Sequence, residues 1–294
     1  MCRNAGRGAF EMNDTPERVA IVGLGLMGGS LGLALKQVSG GPVVAAYARR
    51  EETRKMALQR GAADEVFDDP AAACSGARLV VFCLPVLAIP PIAVTCAGSI
   101  SDSTVTTDVG STKEHLSRSM HDVPGTFIGS HPICGSEKTG LERARADLYL
   151  ESVVVLTPLP GTNPAATGTL SRFWQSIGAT TVEMSPKQHD GTMAATSHLP
   201  HLVSAMIAQL AGDSDLQNVR QLSGSGIRDM TRLADGSPEI WHDIVASNSD
   251  SIARELDRLS ALSGKVKELI LKKDFPAVQR FLEESRRARR ELLG

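Results

Sequence analysis

The chain has little excess charge, no repeated cysteine pattern and no long apolar run, and each absence excludes a class of protein. With 31 basic and 33 acidic residues among 294 and a net charge of -2, there is no electrostatic footprint for nucleic acid or an anionic membrane surface. The five cysteines, Cys2, Cys74, Cys83, Cys96 and Cys134, show no CxxC or other metal spacing. Their odd number argues against a disulfide framework and for a reduced compartment. HExxH is missing, so no metal site is expected. No apolar stretch reaches the ~18 residues of a membrane span, and the first 14 residues lack the apolar centre of a secretory signal. A cytoplasmic protein with a disordered N-terminus over 1–15 and a small-molecule partner is the expectation, with no nucleic acid and no membrane.

What is present is an ordinary globular composition, 42% hydrophobic and 22% charged, long enough for about two domains. The most informative stretch is Val19 to Ser30, where Gly23-Leu-Gly25-Leu-Met-Gly28 stands between a buried-strand pattern and an apolar helix pattern. In that context a glycine turn binds a dinucleotide. Gly23 permits the tight turn, Gly25 lets backbone approach a pyrophosphate, and Gly28 lets helix and strand pack closely, with the anion on free N–H groups at the helix N-terminus. Leu26, Met27 and, after a later strand, Pro85 are the other expected cofactor contacts.

Strands are expected at Val43–Tyr47, Asp64–Phe67, Ala77–Leu84 and Ser103–Asp108, with a helix over Glu51–Gln59 closed by Gly61. Two further runs, Thr126–Gly129 and Ser152–Thr157, are read as extending the same sheet, with Thr181–Met184 as its last strand. From Pro186 onward the pattern turns helical over Pro186–Ala211, Pro238–Ser263 and Asp274–Leu293, and Ser214–Gly226 reads as a polar connection. The fold class is therefore α/β: an N-terminal Rossmann-like, mostly parallel sheet over 16–184 and a C-terminal all-helical domain over 185–294.

At the end of the second strand, where a carboxylate would bond the ribose of NAD, the chain has Ala48-Arg49-Arg50. Two guanidiniums able to fork onto a 2′-phosphate favour NADP, with NAD as the alternative.

Three polar clusters fall where a parallel sheet places its ligands. Asp108-Val-Gly-Ser111-Thr-Lys113 reads by itself as a turn in which Ser111 or Thr112 caps a helix. In Gly129-Ser-His131-Pro132, the proline forces His131 into an extended backbone, which suits a fixed base as well as a structural histidine. In the third, which runs from His189 and Asp190 through Ser197-His198-Leu-Pro200-His201, Ser197 and His201 share a helix face, and Pro200 frees the carbonyl of Thr196 and kinks the helix. Downstream, Arg228 and Arg232 precede Trp241; the pair suits either surface ion pairs or two-pronged capture of a carboxylate.

Taken together, GLGLMGGS, DVGSTK, GSHPICGSE, SHLPH and RDMTRLADGSPEIW, in that order from Val19 to about Asn248, resemble the prephenate and arogenate dehydrogenase family of tyrosine biosynthesis. The resemblance implies NAD(P)-dependent oxidative decarboxylation of prephenate, with arogenate as the alternative substrate, and a homodimer through the helical domain. It also implies that His131 accepts the proton of the ring hydroxyl, Ser111 orients that hydroxyl, Arg232 pairs with a substrate carboxylate, and Ser197, His201, Glu137 and Trp241 line the pocket. Two departures from the family pattern stand at Cys134, where alanine is common, and Gly236, where serine is common.

Overall fold

A computed structural model describes residues 16–134, 139–213 and 218–294. Strands β1 (Arg18–Val22), β2 (Val43–Tyr47), β3 (Glu65–Phe67), β4 (Leu79–Phe82), β5 (Val105–Asp108) and β6 (Thr126–Phe127) form one parallel sheet in the order β3-β2-β1-β4-β5-β6. Between them run α1 (Leu26–Leu35), α2 (Glu51–Gln59), α3 (Pro70–Cys74), α4 (Ile89–Cys96) and α5 (Glu114–Ser119). Successive side chains of a strand point to opposite faces, so Val19 and Ile21 enter one core cluster while Ala20 and Val22 enter another. A sheet buried on both faces favours apolar residues along its central strands, which is why Val19–Val22 of β1 and all of β4 are unbroken apolar runs. The strand order reverses between β1 and β4, and a ligand crevice opens at their carboxyl ends.

The expected continuation of this sheet is corrected by the structure. The N–H of Ile128 makes a further bond to β5, at 2.9 Å from the carbonyl of Thr106. Then β7 (Gly129–Ile133) pairs antiparallel with β8 (Val153–Thr157), and β8 pairs parallel with β9 (Thr180–Glu183), in a separate three-stranded sheet. Gly129 makes the departure sterically feasible, because a Cβ there would lie 2.6 Å from Thr157 Oγ1 and 2.8 Å from Lys113 Cδ. His131 therefore lies within a strand, opposite Val155, rather than after one.

Helix α6 (Pro164–Ser176) brings Trp174 beneath β7, where its indole N–H donates to Ser130 Oγ at 3.1 Å. The expected helix over Pro186–Ala211 resolves into α7 (Pro186–Met193), a π-helical turn (Ala194–His198) and α8 (Leu199–Gly212). Pro200 cannot donate to the carbonyl four residues back, and the wider turn absorbs the mismatch. The segment expected as a polar connection contains α9 (Val219–Leu222) and α10 (Ser225–Thr231), followed by a 3₁₀ turn over Arg232–Asp235. The helix expected over Pro238–Ser263 is two: α11 (Pro238–Ser247) ends at Asn248, whose backbone leaves helical geometry, and α12 (Ser249–Leu271) follows. Helix α13 (Phe275–Leu293) starts at Asp274, whose carboxylate accepts from the N–H of Ala277 at 3.1 Å.

The chain forms two compact units, Met1–Asn248 and Ser249–Gly294; in the second, α12 packs on α13. Among the described residues no helix is long and apolar enough to cross a membrane.

Candidate active site

The turn after β1 is shaped by two glycines that no other residue can replace without moving backbone. Gly23 adopts φ +110°, and a Cβ there would lie 2.5 Å from the carbonyl oxygen of Cys83. A Cβ on Gly28 would lie 1.9 Å from the carbonyl oxygen of Gly23, so α1 starts directly against the turn. Around Gly25 there is open space, with nothing within 4 Å of a built Cβ, and this residue caps α1 without a side chain. The first N–H groups of α1 thus face a gap that fits a pyrophosphate. Tyr149 fixes the start of the helix by donating its hydroxyl to the carbonyl of Met27 at 2.8 Å.

At the end of β2, Arg49 and Arg50 are both exposed. The guanidinium of Arg54 braces the same loop, donating to the carbonyls of Ala48 and Arg49 at 3.0 and 2.8 Å.

The loop after β5 is organised around charge buried in pairs. Lys113 and Asp108, both fully buried, form an ion pair, and Asp108 also accepts from the N–H groups of Gly110 (2.7 Å) and Ser130 (3.2 Å). Burial pushes the Asp108 carboxyl up and the Lys113 ammonium down, each opposed by attraction to the other. The carboxylate thereby joins the end of β5 to β7. The expected cap by Ser111 or Thr112 is not what the structure shows. The orphan donors at the start of α5, the N–H groups of Lys113 and Glu114, are satisfied by Asp190 Oδ1 and Oδ2 at 2.8 and 2.9 Å. Thr112 instead meets Ser247 Oγ at 2.8 Å, and Ser111 is left facing the cavity.

From β7, His131 Nδ1 lies 2.8 Å from His189 Nε2, and His189 Nδ1 lies 2.7 Å from Asp190 Oδ1. Burial first, then the nearby His189, Lys113 and His198, hold the His131 imidazole well below the usual histidine range. Burial lowers His189 as well, against the pull of Asp190. Beside them the Asn248 amide donates to the carbonyl of Asp190 (2.9 Å) and meets His198 Nδ1 at 3.2 Å. His198 Nε2 is buried without a partner, and burial brings this ring down to about 4.

At the far wall, the rings of His201 and Trp241 stack with centroids 3.5 Å apart and planes 12° from parallel. Gly236 makes the stack possible, since a Cβ there would lie 2.6 Å from Trp241 Nε1 and 2.8 Å from His201 Cε1. Arg232, on the 3₁₀ turn, is exposed and contributes to the same wall. Among the described residues it has no carboxylate partner, and neither Arg228 nor Arg232 forms a surface ion pair with the neighbouring Asp229 or Asp235.

One cavity of about 1120 Å³ gathers these groups. Of the residues expected from sequence, it is lined by Gly25, Leu26, Met27, Pro85, Ser111, His131, Ser197, His201, Arg232 and Trp241. Gly23 and Gly28 shape the turn behind it, while Arg49 and Arg50 stand at the end of β2, outside the lining. Glu137 lies outside the described residues. Cys134 lines the cavity, but burial pushes its thiol up to about 11 and keeps it protonated. Among the described residues no three His, Cys, Asp or Glu side chains are grouped as a metal site. The sequence places His189 and Asp190 at the start of the third polar cluster but gives them no role, and it does not single out Asn248. Their local signal is only a His–Asp pair near a helix start and an asparagine between two helices.

Comparison with known proteins places this geometry in a family. Residues 31–183 match the nucleotide-binding domain of prephenate dehydrogenase and residues 185–284 match its dimerization domain. A cyclohexadienyl dehydrogenase of Zymomonas mobilis is 31% identical over 93% of this chain and 95% of its own. A prephenate dehydrogenase of Bacillus subtilis is 30% identical over 94% of this chain and 76% of its own. Among solved structures, prephenate dehydrogenase from Aquifex aeolicus, in complex with hydroxyphenyl propionate and NAD+, superposes with a TM-score of 0.88 at 29% identity, covering 97% of this chain and 99% of that one. A Synechocystis arogenate dehydrogenase gives 0.84 at 26% identity, covering 94% and 100%. A Rossmann-like domain, a helical C-terminal part and matches to both family domains along nearly the whole length identify the chain as a member of the prephenate dehydrogenase family of NAD-dependent oxidoreductases.

Proposed function

We propose that this protein is a prephenate dehydrogenase that oxidises and decarboxylates prephenate to 4-hydroxyphenylpyruvate, with NADP as the favoured cofactor. The observation that carries the reading is the convergence of His131, Ser111 and Arg232 on one cavity that begins at the glycine turn. When bound there, the nicotinamide supplies the hydride acceptor. The open cradle at Gly25 and the uncapped start of α1 would hold the pyrophosphate, and Arg49 and Arg50 the 2′-phosphate.

Each remaining step belongs to the chain's own side chains. As hydride leaves the carbinol carbon, positive charge grows there, and loss of the hydroxyl proton to His131 relieves it; a positioned base is worth about 10²–10⁴ in rate. Ser111 orients the hydroxyl. Arg232, with no acidic partner among the described residues, pairs with a substrate carboxylate, while Ser197, His201 and Trp241 form the wall against the ring. Carbon dioxide departs with its bonding electrons left in the ring, which becomes aromatic, so the driving force is internal to the substrate.

The kinship with a cyclohexadienyl dehydrogenase and an arogenate dehydrogenase supports arogenate as the second reading. We place the protein in the cytoplasm, consistent with its free thiols at Cys74, Cys83 and Cys96. The dimerization-domain match and the exposed Leu262, Ile270, Leu271, Phe275 and Leu282 support a homodimer through the C-terminal part. The test is reduction of NADP or NAD by prephenate or arogenate, followed by absorbance of the reduced nicotinamide. Prephenate with NADP is expected to give the highest kcat/KM, and Arg49→Ala with Arg50→Ala to raise the KM for NADP far more than for NAD. Equal effects on the two cofactors would remove the case for NADP, and turnover confined to arogenate would replace the substrate.

A further inference from the structure

We propose that His189 and Asp190 form a fixed relay that keeps the proton of His131 on Nδ1, so that His131 presents an unprotonated Nε2 to the cavity. The inference deepens the reading above and rests on His131 as proton acceptor. It concerns which nitrogen of the ring does the accepting and what decides it.

Asp190 fixes the direction of every hydrogen bond in this relay. The Asp190 carboxylate accepts from two backbone N–H groups, Lys113 on Oδ1 and Glu114 on Oδ2, and an ionised carboxylate only accepts. The ring nitrogen 2.7 Å from Oδ1, His189 Nδ1, must therefore carry a hydrogen. His189 is fully buried and its charged form is disfavoured, so its other nitrogen, Nε2, holds a lone pair. That lone pair is 2.8 Å from His131 Nδ1. Two lone pairs do not meet at that distance, so His131 Nδ1 carries a hydrogen and donates it. His131 is likewise kept neutral, and its remaining nitrogen, Nε2, is a lone pair on the cavity wall. Without the relay nothing would decide between the two tautomers, and the Nε2–H form would offer a donor where the reaction needs an acceptor. In the reaction the hydroxyl O–H bond breaks, its electrons remain on oxygen, and its proton joins Nε2. The resulting imidazolium already directs its Nδ1–H at His189.

His189 and Asp190 are thus positioning residues, not catalytic ones. Asp190 has a second task, because its carboxylate also closes the start of α5, just after the loop that carries Ser111. One carboxylate sets both the proton on the base and the anchor of the neighbouring loop.

The decisive experiment is ¹⁵N-edited NMR of the imidazoles in the wild-type protein at neutral pH, with the His131 signals identified by their loss in His131→Gln. The expected result is hydrogen on Nδ1 and none on Nε2 for both His131 and His189. A proton on Nε2 of His131 overturns the proposal, and does so without reference to turnover, so it is distinguishable from an error in the assigned reaction. Kinetics give the second arm. His189→Leu removes the acceptor and is expected to lower kcat by about 10–10² while leaving the KM for the cofactor within about twofold. His189→Gln, whose amide offers an oxygen to His131 and an N–H to Asp190, is expected to recover most of that loss. Wild-type kcat in the leucine variant, or equal impairment of both variants, contradicts the relay. If neither variant folds, the wild-type spectrum decides alone.

Discussion

Gly236 offers a perturbation whose size follows from geometry. Its backbone, φ −64° and ψ 150°, suits any residue, so replacing it costs no conformational strain. The cost is steric and local. A Cβ would meet Trp241 Nε1 at 2.6 Å and His201 Cε1 at 2.8 Å, and both rings would have to retreat by about 0.7–0.9 Å to reach the ~3.5 Å of an ordinary contact. The stack has no slack for this, with centroids 3.5 Å apart and planes at 12°. Breaking an aromatic pair costs about 0.5–1.5 kcal/mol beyond area, which is about two- to twelvefold if the stack serves substrate binding. Gly236→Ala should therefore raise the KM for prephenate by that factor, with a much smaller change in kcat. Tryptophan emission provides a check independent of activity, because one of the two tryptophans, Trp174, is fully buried beneath β7 and should not respond. A variant with unchanged emission and an unchanged KM would refute the view that Gly236 exists to let these rings close.

Two further outcomes follow from the charges. Arg232→Ala should raise the substrate KM by about tenfold to a hundredfold, the value of one hydrogen-bonded charge contact, about 1.5–3 kcal/mol; an unchanged KM returns Arg232 to an ordinary surface residue. His131, faced by His189, Lys113 and His198, is held below the usual histidine range, and the active form is the neutral one. Turnover should accordingly be flat from pH 8 down to about 6.5 and fall only in more acid solution, as the lowered group takes up its proton. Stability has the same sign. In the unfolded chain His131, His189 and His198 protonate below about pH 6.5, whereas the folded protein resists it, so Tm should drop as the pH falls below that point and stay level above it. A pH optimum of turnover below 6, or a Tm that rises on acidification, contradicts these assignments.

How much of this was legible in the sequence depends on the range of the interaction that fixes each feature. Strand β2 and helix α2 lie where the apolar runs and Gly61 put them, because a breaker and a local period decide them. The glycine turn was legible for the same reason, since its demands are met within a dozen residues. Pairing is another matter. Nothing local to Thr126–Ile133 says that the chain exchanges its β5 partner for β8 at Gly129, a choice made by Thr157 and Lys113, residues distant in sequence. Pro200 correctly signals a disturbance in its helix, but only the structure shows that it takes the form of a π-helical turn that sets Ser197 and His198 on the cavity wall. The pairing of His131 with His189, 58 residues apart, was illegible for the same reason, as was the cap that Asp190 lends to α5. Single residues announced their chemistry, but their companions had to be found in space.

The proposed mechanism needs an imidazole that receives the hydroxyl proton while the substrate is oxidised, and turnover of His131→Ala measures this most directly. With prephenate and NADP at saturation, kcat should fall by about 10²–10⁴ while the KM for the cofactor stays within about twofold of the wild type. Near-normal turnover in a folded variant would contradict the assignment of the base and with it the mechanism built on this cavity.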